Sequence, residues 1–490
     1  MKISKKINCQ IIVDNAFGFL LLNAICITMI QCNPRNSNVN NRTDSQESID
    51  FVETQLTSDA NGHFLNQRQA FSPDDKWLVY DTRNDETKIG ENASIQLVNV
   101  ETKAIKTIYK LENQTEFGPG AGAVSFHPFQ NEVVFIHGLM NASEAHPYGF
   151  TRRFAMQVDL DNANKAEPME ARDVIEPFTK GALRGGSHAY SYSADGKWVS
   201  FTYNDQVLAK ASETNPKVHD LRTVGAFLLG EKVAINGTAD EENFDGTSFA
   251  ILLAEVKANP HHGSDEISKA YEEGWVGKDG YNKLEEPGQT RALAFLGDVI
   301  SLSGEKVTEV FISDIPDDIQ GLMTSVTAGT RTMLPSLPQG VKQRRLTFTI
   351  ANKYPGVQGP RQWLRSSPDG DAIYFYQKDE EGIVQIHSIS PNGGLIKAVT
   401  TNDFSADTTF GLSSDGKYLA YGAKEKLYIT AVADGKTTLV LPAPSTSTSQ
   451  LSNINWSNSG HTIAYNRMVA LNGEAFYQLF TLEFSTLLTH

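Results

Sequence analysis

A short turn that recurs six times limits how this chain can fold more than any other feature. The copies are FSPDDKWLVYDTRND from Phe71, FHPFQNEVVFIHG from Phe126, YSADGKWVSFTYND from Tyr192, SSPDGDAIYFYQKD from Ser366, SSDGKYLAYGAKE from Ser413 and WSNSGHTIAYNRM from Trp456. In each, a β-rich run meets a Ser-Pro-Asp-Gly-like reversal and leaves it as an apolar strand. Pro presets φ, Asp caps the turn, and Gly takes the positive φ that a two-strand reversal needs. Repeated antiparallel sheets of this kind pack radially, so the expected fold is an all-β propeller of four-stranded antiparallel blades. The longer gap after the third copy has room for a further blade between Asp240 and Asp318, where TSFAILLAEV, RALAFLGDVI and EVFISDI read as strands without the turn. Seven blades are therefore expected. A Leu-Thr or Val-Thr pair stands ahead of new blades at Leu56-Thr57, Leu346-Thr347 and Val399-Thr400. Its occurrence before the first complete turn predicts that the N-terminal strand completes the C-terminal blade, which would remove two exposed sheet edges.

The first fifty residues follow a different pattern. Cys9, Cys26 and Cys32 all lie there, so the folded body is expected to have no disulfide and no thiol chemistry. Lys2, Lys5 and Lys6 precede an apolar run from Ala16 to Ile30, the order of an export signal and too short for a comfortable membrane span. Cys32 follows, and an Asn/Ser-rich stretch runs on to Asp50; this looks like a lipoprotein signal with Cys32 as the lipidated residue, although Gln31 stands where a small residue is usual. The expected organisation is a signal over residues 1–32, a flexible polar tether over 33–50 and one propeller domain over 51–490. Such a chain would be exported, and either anchored to a membrane or placed in the periplasm or outside the cell, as a monomer. A formal charge of −15 argues against a nucleic-acid binder, which needs a basic surface. It does not argue against an acidic glycan, because a local basic pocket can sit in an acidic protein.

Aligning the copies on the turn places Thr82, His137, Tyr203, Gln377, Ala423 and Arg467 at one equivalent position, the far end of the second strand. Equivalent positions in a propeller form a ring, and this ring is expected to face the central funnel. His137 and Tyr203 are its members suited to proton transfer. His188, in the Gly-Gly-Ser-His opening of its blade, is expected at the same rim beside Tyr203. His127 occupies the turn's Ser position on the far side and reads as structural. His261 and His262 are adjacent imidazoles without a spaced third ligand, so they read as loop; no metal site and no cofactor are expected. No Gly-rich phosphate loop, spaced His-Glu zinc motif or Gly-x-Ser-x-Gly elbow occurs, which argues against nucleotide hydrolysis, zinc proteolysis and propeller-linked peptidases.

The turn repeats resemble those of TolB-type propellers. Further segments narrow this: FIHGLMNASEAHPYGFTRR, LRGGSHAYSYSADGKWVSFTYND, DLRTVG, GSDEISKAYEEGWVG, RALAFLGD, QRRLTFT and GPRQW are similar to the bacterial YidR-like family, and through it to polysaccharide lyase family twenty-five, the seven-bladed ulvan lyases. The resemblance implies a lyase that cleaves a uronate-containing acidic glycan by β-elimination. That reaction needs the carboxylate neutralised, a base for the C5 proton and an acid for the departing O4. Arg suits the first task because its planar fork matches a carboxylate. Neutral His and Tyr suit the others. The resemblance further implies that His137 and Tyr203 are the proton-transfer pair, that Arg222 of DLRTVG binds the carboxylate with help from His146, and that Tyr271 of AYEEGWVG and His188 contact substrate. A non-catalytic periplasmic propeller that binds a protein or glycan partner is the alternative, since fold does not fix activity.

Overall fold

The turn sequences are built as their chemistry requires. In blade after blade a Ser hydroxyl donates to the Asp carboxylate two residues on and accepts the backbone N–H that starts the next strand. Ser72, Ser193, Ser367 and Ser413 do so with Asp74, Asp195, Asp369 and Asp415. Gly196, Gly370, Gly416 and Gly460 follow with φ between +67° and +77°. His127 substitutes for the Ser: its Nδ1 accepts the N–H groups of Phe129 and Gln130 at 3.0 Å, and its Nε2 lies 3.1 Å from the Gly196 carbonyl of the next turn.

These turns organise seven sheets into a seven-bladed propeller, in a computed structural model that describes residues 51–162, 164–284, 288–444 and 451–484. The expected signal, tether and Cys32 lie outside the described residues. Blade one has strands Trp77–Asp81, Ser94–Asn99 and Ile105–Lys110, with bridges at Phe64 and Phe71 in place of a regular inner strand. Blade two follows at Ala121–Phe126, Glu132–Gly138, Arg153–Asp159 and Lys165–Pro168. Blade three comprises Gly185–Tyr192, Trp198–Asp205, Thr223–Val233 and Gly246–Leu252. Blade four comprises Ile267–Trp275, Ala292–Ile300, Lys306–Asp314 and Lys342–Arg345. Blades five and six begin at Arg365 and Phe410. Blade seven consists of Leu451–Trp456, Thr462–Leu471 and Glu474–Phe484 and is completed by Phe51–Gln55.

The further blade therefore exists, with altered bounds. TSFAILL is the outermost strand of blade three, and blade four starts at Ile267 and reaches Arg345. Its first two strands are joined by a long connection from Val276 to Arg291, which is why the tight turn is missing there.

The Leu-Thr pairs have a common geometry. Leu56, Leu346 and Val399 donate their N–H to the carbonyls of Leu479, Val310 and Ile386, while Thr57, Thr347 and Thr400 accept the N–H of those same three residues on their hydroxyls. Each pair thus ends a ladder by satisfying a donor and an acceptor on the third strand of a blade. Antiparallel pairing of Phe51 with Phe484 through Gln55 with Phe480 closes the ring as the pair at residues 56–57 predicts.

Between blades the core is built from separate apolar clusters, several of them centred on an aromatic ring. Phe135, Phe201, Phe295 and Tyr465 stand at the same place in four second strands and are fully buried. Opposite each, the inner strand carries a bulge: two residues face one, and the first of the two has positive φ. These are Ala123, Ala189, Glu272 and Asn453, at +56°, +66°, +54° and +53°. A bulge re-aims the side chains beside it, and these bulges shape the funnel.

Candidate functional site

A cavity of about 610 Å³ lies where the blades converge, with walls from blades one, two, three, four, five and seven. The bulge residues Ala123, Ala189, Glu272 and Asn453 line it. So does Trp363, which occupies the corresponding place four residues before the turn Ser of blade five. The ring around the funnel is thus set by the inner strands.

The cavity is rich in cations. Arg153 and Arg222 lie against the ring of Phe150, at 4.9 and 5.3 Å from its centroid. Arg222 donates from Nε to Asn204 Oδ1 at 3.1 Å, and Asn204 donates in turn to Asp220 at 3.0 Å, so the acid beside this arginine acts on it through an amide. Arg361 reaches Glu272 at 3.2 Å and Glu86 at 3.6 Å and stacks on Trp363. Lys269 stands 3.9 Å over the Tyr271 ring, and burial and Arg222 lower its pKa. Arg153 is the exception among the arginines. It is 4% exposed, hydrogen-bonds from its side chain to the Tyr148 hydroxyl at 3.5 Å, and leaves Nε and Nη2 buried without a hydrogen-bond partner. A buried cationic donor without an acceptor is costly unless something anionic arrives.

His188 lies among these cations. Burial, then Arg153, Arg222 and Arg361, push its pKa well below the ordinary imidazole value, so it is neutral at pH 7. Its Nδ1 is buried and makes no hydrogen bond of ordinary geometry. The glycines before it have a steric purpose: a Cβ on Gly186 would meet the Phe150 carbonyl at 1.9 Å, and one on Gly185 the Asn204 carbonyl at 2.1 Å. Gly-Gly-Ser-His therefore lets the Phe150 loop of blade two cross directly over the strand that presents His188. Ser187 is held from behind by Glu170 and by the Tyr190 hydroxyl.

The structure brings together three of the six residues predicted for the site. Arg222, His188 and Tyr271 line the cavity; Tyr271 donates to Asp298 at 2.9 Å, and burial and that acid raise its pKa. His137 and Tyr203 do not line it. Residues i and i+2 of a strand share a face, and His137 and Tyr203 stand two beyond Phe135 and Phe201, so they follow those rings into the core. His137 is fully buried, 2.8 Å from the Tyr109 hydroxyl and packed on Phe154, with burial lowering its pKa to about 4. Tyr203 donates to Asp205 and accepts the Arg184 N–H, both at 3.0 Å, beside a fully buried Arg184–Asp205 ion pair; burial and Asp205 raise its pKa well above the ordinary value. His146 is exposed in a tight turn with Ser143, in the loop that also carries Tyr148 and Phe150. Sequence reasoning missed Arg153, Tyr148, Lys269 and Arg361. The turn alignment followed four residues upstream reaches the bulge residues Ala123, Ala189, Trp363 and Asn453, and none of these four cavity residues stands there.

Among the described residues no three His, Cys, Asp or Glu side chains form a group placed to hold a metal ion. Comparison with known proteins begins with a family model, Protein of unknown function (DUF3748), which matches residues 120–242, the part that carries Arg153, His188 and Arg222. The uncharacterized protein YidR of Escherichia coli (strain K12) is 38% identical over 372 residues, covering 75% of this chain and 83% of that protein. The chain belongs to the YidR family. Of solved structures, an oligogalacturonate lyase in complex with manganese covers 89% of this chain and 94% of its own at 12% identity and a TM-score of 0.50. An oligogalacturonate lyase from Vibrio parahaemolyticus covers 89% and 97% at 12% identity and a TM-score of 0.46. At such identity the likeness is one of fold.

Proposed function

We propose that this protein is a polysaccharide lyase that cleaves an ulvan-like, uronate-containing glycan by β-elimination in the funnel cavity. The observation that carries this is the Arg153 guanidinium, buried beside Arg222 and a neutral His188 with two nitrogens unpartnered. A uronate carboxylate supplies the missing acceptors. Arg153 and Arg222 neutralise it, which acidifies the C5–H. His188 takes the C5 proton, the C4–O4 bond breaks as the C4–C5 double bond forms, and the Tyr148 hydroxyl gives a proton to the departing O4. Binding also tunes the base: the carboxylate offsets the arginine field that depresses His188, so the imidazole is more basic in the complex than in the free protein. Oligogalacturonate lyases share the fold, and the resemblance to ulvan lyases points to the same chemistry. Export by the N-terminal segment, with lipidation at Cys32, would place the activity where polymeric substrate is met.

The test is incubation of residues 51–490 with a panel of uronate polysaccharides, following the ultraviolet absorbance of the new double bond. His188→Gln should depress turnover by ~10²–10⁴, the usual contribution of a general base. If no polymer yields an unsaturated product, the protein is a binding propeller and the lyase reading is wrong.

A further inference from the structure

Phe150 is 63% exposed, yet the guanidinium groups of Arg153 and Arg222 both rest on it. Arg153 and Arg222 come from different blades and carry like charge; burial first, and then Arg153, lower the Arg222 pKa. The Phe150 ring, with its negative π-face, is the contact they share. The loop is fixed as well, since Gly186 admits the Phe150 carbonyl where any side chain would clash. We propose that Phe150 is a specificity-determining residue that holds Arg153 and Arg222 as one receptor for a single anionic sugar substituent, while its outward surface is the platform for the sugar ring that bears it. Ring and arginines together select a pyranose with an attached carboxylate over either an inorganic anion or a neutral sugar.

This rests on the lyase reading for its ligand class, and its test is one of binding. Trigalacturonate and its carboxyl-reduced, neutral counterpart are titrated calorimetrically into residues 51–490 carrying His188→Gln, so that turnover plays no part. The charged trimer should bind and the neutral one should not. Phe150→Leu should weaken the charged trimer roughly tenfold, the weight of partly desolvated cation–π contacts, without a change in melting temperature. Phe150→Tyr should restore affinity to within about threefold, because the aromatic face is what matters. Equal affinity of the Phe150→Leu and parent proteins would overturn the proposal, as would failure of the charged trimer to bind at all. Phe150-dependent binding by a protein whose parent yields no unsaturated product would leave the proposal standing and remove the lyase.

Discussion

His137 offers a measurement that separates a core histidine from a catalytic one. In the folded protein its pKa is lowered to about 4, from an ordinary value of 6.5, because the ring is sealed between Tyr109 and Phe154. A depressed imidazole is neutral when folded and protonates readily when unfolded. Its contribution to stability is therefore complete above pH 6.5 and is lost as pH falls toward 4. Each pH unit in that interval is worth ~1.4 kcal/mol, so about 2.5 kcal/mol should be gone by pH 4.5. Urea unfolding of the parent and of His137→Gln, at pH 7.5 and pH 4.5, isolates this from the other buried histidines. Loss of packing and of the Tyr109 contact should make the variant less stable by about 1–3 kcal/mol at pH 7.5. At pH 4.5 the difference should close or reverse. Parallel behaviour of the two proteins at both pH values would refute the burial argument. A fall in turnover of a hundredfold or more on His137→Gln would return this residue to the catalytic site.

The pH profile of the lyase should show its acid limb at lower pH in kcat/KM than in kcat, because only the free protein has His188 fully under the arginine field; coincident limbs would exclude His188 as the base. Arg222→Lys should damage turnover nearly as much as Arg222→Ala, since an ammonium cannot reproduce a two-bond contact to a carboxylate; a mild lysine effect in steady-state rates would argue for charge alone. Thr57→Val should cost about 1–3 kcal/mol in urea unfolding by stranding the Leu479 N–H, and removal of residues 51–57 should cause aggregation visible by light scattering. Cys32→Ser should release the exported protein from membrane fractions if lipidation is the anchor.

The turns made the fold legible because each encodes its own hydrogen bonds, from Ser72 to Ser457, and because Leu56-Thr57 repeats a ladder ending found at Leu346 and Val399. Blade four was only partly legible, since the connection from Val276 to Arg291 lacks the Ser-Pro-Asp-Gly-like turn of the other copies and TSFAILL is apolar enough for either neighbouring blade. The site was legible as residue types and not as a ring. Side-chain direction along a strand follows from counting by two, which sends His137 and Tyr203 to the face of Phe135 and Phe201. The funnel is set by bulges at Ala123, Ala189, Glu272 and Asn453, whose positive φ no Gly announces. Arg222 and His188 were found because they sit in distinctive segments. Arg153 ends one of those segments and was still missed, because residue type alone does not tell it from Arg152 beside it.

Closure by Phe51–Gln55 also orders events in time. Phe51 has its partner at Phe484, so the first strand of the domain to leave a ribosome or a translocation channel is the last to be paired. Until the final strand is made, residues 51–55 must wait as an unpaired segment while six blades can already assemble from local contacts. Contacts this distant in sequence form slowly, and an open edge invites pairing with another chain. A chain stopped between Asn453 and Glu474 is left with an unsealed blade, so incomplete synthesis or clipping there would mark the product for aggregation or degradation although the residues of the funnel cavity are all present.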